Sequence, residues 1–317
     1  MERKATLKDS AINRLRGCYL ALPTLFTADL SLNLAGMRRH VRFLIEHGLR
    51  EGNATLLVNG ANGEFPMLTL DERMQTAEAV VDEANGRIAV IVGAQTSSTR
   101  EAIQIAQHAQ DIGAAALQVS PPYYFTPTDD DVYEYVAAIA RAAPHVGIVF
   151  YTTYWLGYKP ALAMLERLAE IPQVACLKWG SSDLLDYQFV LLHLSNKLGI
   201  IDNQVMPVYN QMMGGSGVNV HPALLWPEWG LRTWSLLEAR DWEGAQAEVA
   251  RVLLPYYDIM GDIWKTHAGE GNVEKMGLEL LGMDGGPSRP PMRPLPPMHK
   301  ERLRQYCLKV GLPLQRA

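Results

Sequence analysis

Residues 147–180 read GIVFYTTYWLGYKPALAMLERLAEIPQVACLKWG. An apolar, β-branched run, 147–153, gives way to an amphipathic segment, 160–169, and then to a second apolar run, 174–180. Neither run alternates apolar with polar residues. Runs that are apolar nearly throughout are the pattern of strands covered on both faces, as in a parallel sheet. Two such strands joined by a helix-length segment make one right-handed crossover unit.

The same grammar extends in both directions. Further apolar runs lie at 18–26, 54–60, 87–95, 114–122, 199–203 and 217–221, giving eight with the two already quoted. Helical segments are expected between them. Residues 34–47 place Met37, Val41, Leu44 and Ile45 on one stripe, and 69–84 open with Thr69 and Asp71 as a cap region. Residues 98–112 carry Ala102, Ile105 and Ala106 at helical spacing, and 128–142 open on Thr-Asp-Asp-Asp, suited to the positive end of a helix dipole. Segments 182–195 and 204–213 complete the series.

Eight strand–helix units in series predict an α/β fold of the (β/α)8 TIM-barrel class. The competing doubly wound sheet carries a glycine fingerprint after its first strand, whereas this first strand ends in Leu22-Pro23-Thr24. Beyond residue 222 helices follow one another without strands, at 223–239, 241–260, 271–281 and 300–310, with a Gly/Pro-rich connector, 285–297, before the last. The expected organisation is a polar N-terminal segment (1–16), a barrel core (17–222) and a C-terminal helical appendage (223–317).

Composition narrows the function classes. The 317 residues carry 29 Lys and Arg against 34 Asp and Glu, a net charge of −5, and 48% are apolar. That is the balance of a chain with a large core, without the basic face that nucleic acid requires. No apolar run reaches the roughly 18 residues of a membrane span, and residues 1–16 lack the apolar core of a signal peptide. Cys18, Cys176 and Cys307 form neither a paired framework nor a metal motif. These features point to the cytoplasm, with no nucleic acid or membrane as partner and no metal or organic cofactor.

Active sites of barrels lie at the C-terminal ends of the strands. Lys178 interrupts the apolar run 174–180 at such an end. A charged ammonium is costly there, and a desolvated, neutral amine is a nucleophile toward carbonyls, which describes a Schiff-base lysine. A rim lysine reaching out to solvent satisfies the same sequence. Tyr151 ends the neighbouring apolar run, where a phenol can move protons or simply pack. Gly60-Ala61-Asn62-Gly63-Glu64 follows the second strand, and its two glycines let backbone N–H groups approach an anion or merely form a tight turn. Asn219 comes from the eighth strand. Tyr123, Tyr124, Tyr154, Trp155, Tyr158 and Trp179 crowd the same rim, as a pocket for an apolar substrate or as a subunit interface. His221, His267 and His299 stand apart from any metal-ligand pattern.

Taken together the chain resembles the pyruvate-dependent class I aldolases and lyases typified by dihydrodipicolinate synthase and N-acetylneuraminate lyase. The resemblance spans about residues 17–312 and rests on Leu22-Pro23-Thr24-Leu25-Phe26, the turn at 60–64, Ile91-Val92-Gly93-Ala94, Pro122-Tyr123-Tyr124, Val149-Phe150-Tyr151, Leu177-Lys178 and Gly214-Gly215-Ser216-Gly217-Val218. It implies that Lys178 forms the imine with pyruvate or a related 2-keto acid, that Tyr151 shuttles protons, and that Tyr124 is a relay reaching a neighbouring subunit. It further implies that Gly60, Ala61 and Asn62 hold the keto-acid carboxylate and that the protein is a tetramer built from tight dimers.

Three departures bear on the second substrate. The turn usually carries two hydroxyl residues, where this chain has Ala61 and Asn62. The synthase places an arginine after the fifth strand, where this chain has Thr152-Thr153-Tyr154-Trp155. It places a glutamate after the lysine, where this chain has Trp179. Charged and hydroxyl groups give way to aromatic and aliphatic ones, which predicts an aromatic or apolar aldehyde as partner, as in hydratase-aldolases, with Trp155 and Trp179 lining its site. A keto-acid dehydratase would release water without cleaving the chain, and a non-catalytic member would bind the keto acid without turning it over.

Overall fold

A computed structural model describes residues 6–153 and 156–314. Eight parallel strands close in sequential order into a barrel. They are β1 (Gly17–Ala21), β2 (Ala54–Val58), β3 (Ala89–Gly93), β4 (Ala116–Val119), β5 (Gly147–Thr152), β6 (Val174–Trp179), β7 (Gly199–Asp202) and β8 (Gly217–Asn219). Every strand residue is buried, as apolar runs covered on both faces require. The helices between them are α2 (Leu34–Glu46), α3 (Leu70–Ala84), α4 (Thr99–Asp111), α5 (Asp129–Ala142), α6 (Leu162–Ala169), α7 (Leu184–Leu194) and α8 (Pro207–Met212). The expected fold class is the observed one.

The strands are shorter than the apolar runs, and prolines mark several of the differences. The run 18–26 leaves the sheet after Ala21, just before Pro23, and 114–122 leaves it after Val119, before Pro121 and Pro122. Proline cannot donate to a ladder. The run 217–221 turns into a 3-10 helix, His221–Leu224, with Pro222 near its start. Side-chain caps set the helix starts: Thr69 with Glu72 and Thr128 with Asp131 form capping boxes, and Ser98 accepts from the backbone of Glu101.

Contacts divide the described chain into two compact units: residues 6–19, 50–57 and 88–219 form one, and 20–49, 58–87 and 220–314 the other. In the first unit, the segment read as merely polar contains a helix, α1 (Leu7–Arg14), closed by a Thr6/Asp9 capping box. Its low apolar content hid it. It packs on β5 and β6, where a side chain at Gly147 would come within 3.0 Å of Ala11 Cβ.

The second unit holds α2, α3 and the C-terminal helices α9 (Pro227–Glu238), α10 (Trp242–Glu248), α11 (Leu254–Trp264), α12 (Asn272–Leu280) and α13 (Pro297–Val310). The helix expected over 241–260 is broken by a π-helical stretch, Val249–Leu253. Pro255 follows at once; it lacks an N–H and crowds the carbonyl one turn back, and a wider turn relieves both. The last helix starts three residues before the expected 300.

β5 and β6 meet with one irregularity. Ile148 lies opposite Val174 but Val149 opposite Cys176, so Ala175 is an extra residue on β6, and beyond it Tyr151 lies opposite Lys178. No described helix is long and apolar enough to cross a membrane. The three cysteines are free thiols, all buried.

On α2 the buried stripe includes His40, whose Nε2 lies 2.9 Å from the Leu224 carbonyl oxygen. Burial lowers its pKa to about 4, against a smaller opposing pull from that carbonyl and from Glu274. An unfolded imidazole titrates near 6.5. Between about pH 6.5 and 4 the unfolded state therefore binds more protons, and stability falls as pH falls. Urea unfolding should show the wild type losing about 3 kcal/mol relative to His40→Gln between pH 7 and 4. Parallel pH curves for the two proteins would refute a neutral, buried His40.

Candidate active site

Lys178 stands near the end of β6 and is 6% exposed. Its Nζ lies 4.8 Å from the ring centroid of Tyr151 and 4.8 Å from that of Tyr19. Tyr151 comes from the adjacent strand. Tyr19 comes from β1, which neighbours β2 and β8, so it meets Lys178 only across the barrel interior. The amine therefore points inward and does not reach out to solvent. Both ring faces stabilise positive charge at Nζ.

The Tyr19 hydroxyl donates to Gln118 Oε1 at 2.6 Å, and Tyr19 lies opposite Asn219 on β8. Burial, with the nearby Cys176 and Tyr151, holds the Tyr19 phenol well above its ordinary pKa, so it stays a neutral donor. Burial likewise pushes the Cys176 thiol up to about 12. Asn219 Nδ2 donates to Asn203 Oδ1 at 3.4 Å. Tyr19 and Gln118 were missed in the sequence, although a glutamine inside the apolar run Ala116-Leu117-Gln118-Val119 is the same kind of signal as Lys178.

Strand alternation sends Trp179 the other way from Lys178. Its indole lines a cavity of about 350 Å³ together with Leu162, Phe189, Val190 and the Lys159–Asp186 ion pair. Trp155 and Tyr154 lie outside the described residues. Tyr124 is 83% exposed on the loop after β4, edge-on to Phe125 at 4.9 Å, and is not brought to Lys178 within the chain. Tyr158 donates to Asp129 Oδ1 at 2.5 Å.

In the second unit the turn at 60–64 is built tightly. Asn59 (φ 59°) and Glu64 (φ 52°) are both left-handed. A side chain at Gly63 would come within 3.2 Å of the Asn59 backbone. Thr24 Oγ1 donates to the Gly63 carbonyl at 2.7 Å. Asn62 Nδ2 donates to the Ala21 carbonyl at 2.9 Å and lies 3.3 Å from His221 Nδ1, so this amide braces the turn. His221 Nδ1 is 2.8 Å from Glu274 Oε1, which also accepts from the Tyr256 hydroxyl at 3.2 Å.

Glu64 is the turn's anchor. It pairs with buried Lys275, accepts from Ser288 Oγ at 2.9 Å through Oε1, and from the Arg289 N–H at 3.1 Å through Oε2. Arg289 in turn forks onto Glu72 at 2.6 and 2.7 Å. Desolvation lowers the Lys275 pKa, and the Glu64 charge pulls it back up. No local pattern in the sequence marks Lys275, Glu274 or Arg289 as partners of a turn some 200 residues away.

A sequence profile of the dihydrodipicolinate synthetase family matches residues 14–309. The chain belongs to that family. A 4-hydroxy-tetrahydrodipicolinate synthase of Methanopyrus kandleri is 31% identical over 304 residues, 94% of this chain and 97% of that protein. One from Salinibacter ruber is 35% identical over 210 residues, 64% of this chain and 66% of its own. The crystal structure of dihydrodipicolinate synthase from Aquifex aeolicus superposes with a TM-score of 0.86 at 22% identity, covering 95% of this chain and all of that one. Proteus mirabilis N-acetylneuraminate lyase gives 0.83 at 23%, covering 95% and 100%. At those identities the two structures speak to the fold alone. As a member of the dihydrodipicolinate synthetase family the chain is a carbon–carbon lyase of the class I aldolase type.

The anchor of the turn is open to direct test. Lys275→Met leaves the Glu64 carboxylate buried without its cation, and calorimetry or urea unfolding should register a loss of about 3 kcal/mol. Removing both charges, as Glu64→Leu with Lys275→Met, should recover much of it. A single variant as stable as the wild type would show the pair to be dispensable.

Proposed function

We propose that Lys178 forms an imine with pyruvate or a pyruvate-derived 2-keto acid, and that the reaction partner is an aromatic or apolar aldehyde. The observation that carries this reading is the Lys178 amine in the barrel interior, 4.8 Å from the rings of both Tyr19 and Tyr151.

In the cleavage direction the neutral amine attacks the C2 carbonyl of the keto acid, and the resulting hydroxyl leaves as water with the proton of the Tyr151 phenol, giving a cationic imine and a phenolate. The Tyr151 phenolate then takes the proton of the C4 hydroxyl. The C3–C4 bond then breaks, its electron pair moves into the imine as an enamine, and the aldehyde departs. Tyr151 passes that proton to C3, and hydrolysis of the imine releases pyruvate, restores the neutral lysine and returns a proton to the phenolate. For an α,β-unsaturated keto acid, addition of water across the double bond comes first and supplies that hydroxyl. Gly60, Ala61 and Asn62 are assigned to the keto-acid carboxylate, held by backbone N–H groups of the turn, since the Asn62 amide is occupied at Ala21. Asn219 is assigned to substrate binding.

Thr152 and Thr153 follow Tyr151 where a carboxylated aldehyde would call for a cation, and both are buried. That supports an apolar aldehyde. Trp179, on the far face of β6, supports it only indirectly.

We further assign the working form to a homo-oligomer, a dimer of dimers, in which Tyr124 relays protons to a neighbouring copy's site. Two features support this. Tyr124 projects from its own chain, and α7 exposes Leu184, Leu185, Phe189 and Leu192, more apolar surface than a monomer's helix normally leaves in water.

Borohydride reduction with pyruvate should leave a stable adduct on the Lys178 peptide and none in Lys178→Ala. Tyr151→Phe should lower kcat by about 10²-fold or more with a smaller change in KM. Benzaldehyde-type acceptors should be used at least about tenfold better than amino-aldehydes. Turnover retained in Lys178→Ala would sink the mechanism; trapping without any aromatic turnover would remove only the aldehyde assignment.

A further inference from the structure

Asp202 is a buried carboxylate to which the mechanism above gives no role. It ends β7 at 1% exposure, opposite Trp179, one position on from Ile201, which lies opposite Lys178. Its Oδ1 accepts from the Tyr187 hydroxyl at 2.7 Å and from the Gln204 N–H at 2.9 Å; Oδ2 accepts from the Met206 N–H at 2.9 Å. Between those two amides stands Val205 at φ 60°, a β-branched residue in the left-handed region, which persists only where its surroundings enforce it. The carboxylate grips the chain on both sides of it.

The loop held in this way is tied to the strand end that carries Lys178. The Asn203 N–H donates to the Trp179 carbonyl at 2.9 Å, and the Gln204 side-chain oxygen accepts from the Ser181 N–H at 2.8 Å. Asn203 Oδ1 also receives Asn219 Nδ2. A side chain at Gly180 would come within 3.0 Å of the Asn203 carbonyl oxygen, so the two segments are in close contact. The residues on the C-terminal side of Lys178 are thus fastened to a loop that Asp202 organises.

Neutral acceptors could hold such a loop. A carboxylate in this setting is expensive, because burial disfavours its charge. Burial raises its pKa to about 6, while hydrogen bonds from Tyr187, Gln204 and Met206 and the positive charge of Lys178 pull it down. Among the described residues the titratable group in contact with it is Tyr187 from α7, with Tyr209 of α8 behind Tyr187 at a ring separation of 6.4 Å; Lys178 of β6 turns to the other face of the sheet and acts on it only at longer range. The β8 residue nearest the loop, Asn219, carries no charge.

We propose that Asp202 is a positioning residue for Lys178: from the outer face of β7 it fixes the loop 203–206 against the end of β6, and so holds the strand end from which Lys178 projects. This rests on the reading of Lys178 as the imine lysine. The step itself is unchanged, and Asp202 neither gains nor loses a bond in it.

The test is the pH profile of borohydride trapping with pyruvate, read with Tm and steady-state kinetics. In the wild type, trapping should fall as pH drops through about 6, where Asp202 takes up a proton and its carboxyl no longer holds the loop by acceptors alone. Asp202→Asn should trap at a tenth of the wild-type rate or less near pH 7.5, with kcat lowered more than KM is changed and the acid limb absent. Tyr187→Phe keeps the charge but removes one hydrogen bond to it; its rate should stay within about threefold and its acid limb should move to higher pH. A folded Asp202→Asn with the wild-type rate and profile would overturn the proposal and leave Asp202 a loop cap. If Asp202→Asn does not fold, an unmoved limb in Tyr187→Phe overturns it instead. Failure of the wild type to trap pyruvate removes the Lys178 reading and this inference together; trapping in the wild type with no response to either variant removes only the inference.

Discussion

Taking a lysine amine out of water costs several kcal/mol unless the site returns the lost solvation. Among the described residues two lysines are buried, and that cost is met in two ways. Lys275 is set against the Glu64 carboxylate, with the Pro287 carbonyl oxygen also in reach at 3.0 Å, and its proton is fixed as part of a scaffold. Lys178 is set over two aromatic faces. Ring faces stabilise a cation through the ring quadrupole. One amine is thus built into the bracing of a turn, and the other stands among aromatic rings in the barrel interior.

The barrel makes the second arrangement available. In an open sheet, a residue on the first strand and one on the sixth would be about five strand spacings apart, roughly 24 Å. Closure brings Tyr19 and Lys178 onto one interior, and the burial of every strand on both faces removes water from around them. The apolar runs that identify the fold are thus the same feature that perturbs the lysine.

Much of this was legible in the chain. Burial on both faces leaves a continuous apolar run, so the strands announced themselves, and a polar residue inside such a run is conspicuous; Lys178 and Tyr151 were found that way. Gln118 carried the same mark and was passed over. Other features have no local mark. The helix over Leu7–Arg14 buries only Ala11 among its eight residues, too little for a periodic stripe. Lys275 and Arg289 each lie more than 200 residues from Glu64, and their meeting with it is a property of tertiary packing alone. Trp179 was grouped with Lys178 because they are adjacent, yet in a strand adjacent residues face opposite sides.

The extra residue in β6 has a consequence for how this chain can change over time. Ala175 sets the parity of everything after it: with it, Cys176 and Lys178 turn toward the interior, and Leu177 and Trp179 away. Parity has no intermediate values. A substitution between Ala175 and Lys178 alters one side chain, whereas gain or loss of a single residue there would exchange lysine for leucine or tryptophan at the inward position. Sequence in this strand can drift by degrees, but its length is held to all or nothing, so changes of length are left to the loops beyond the strand ends.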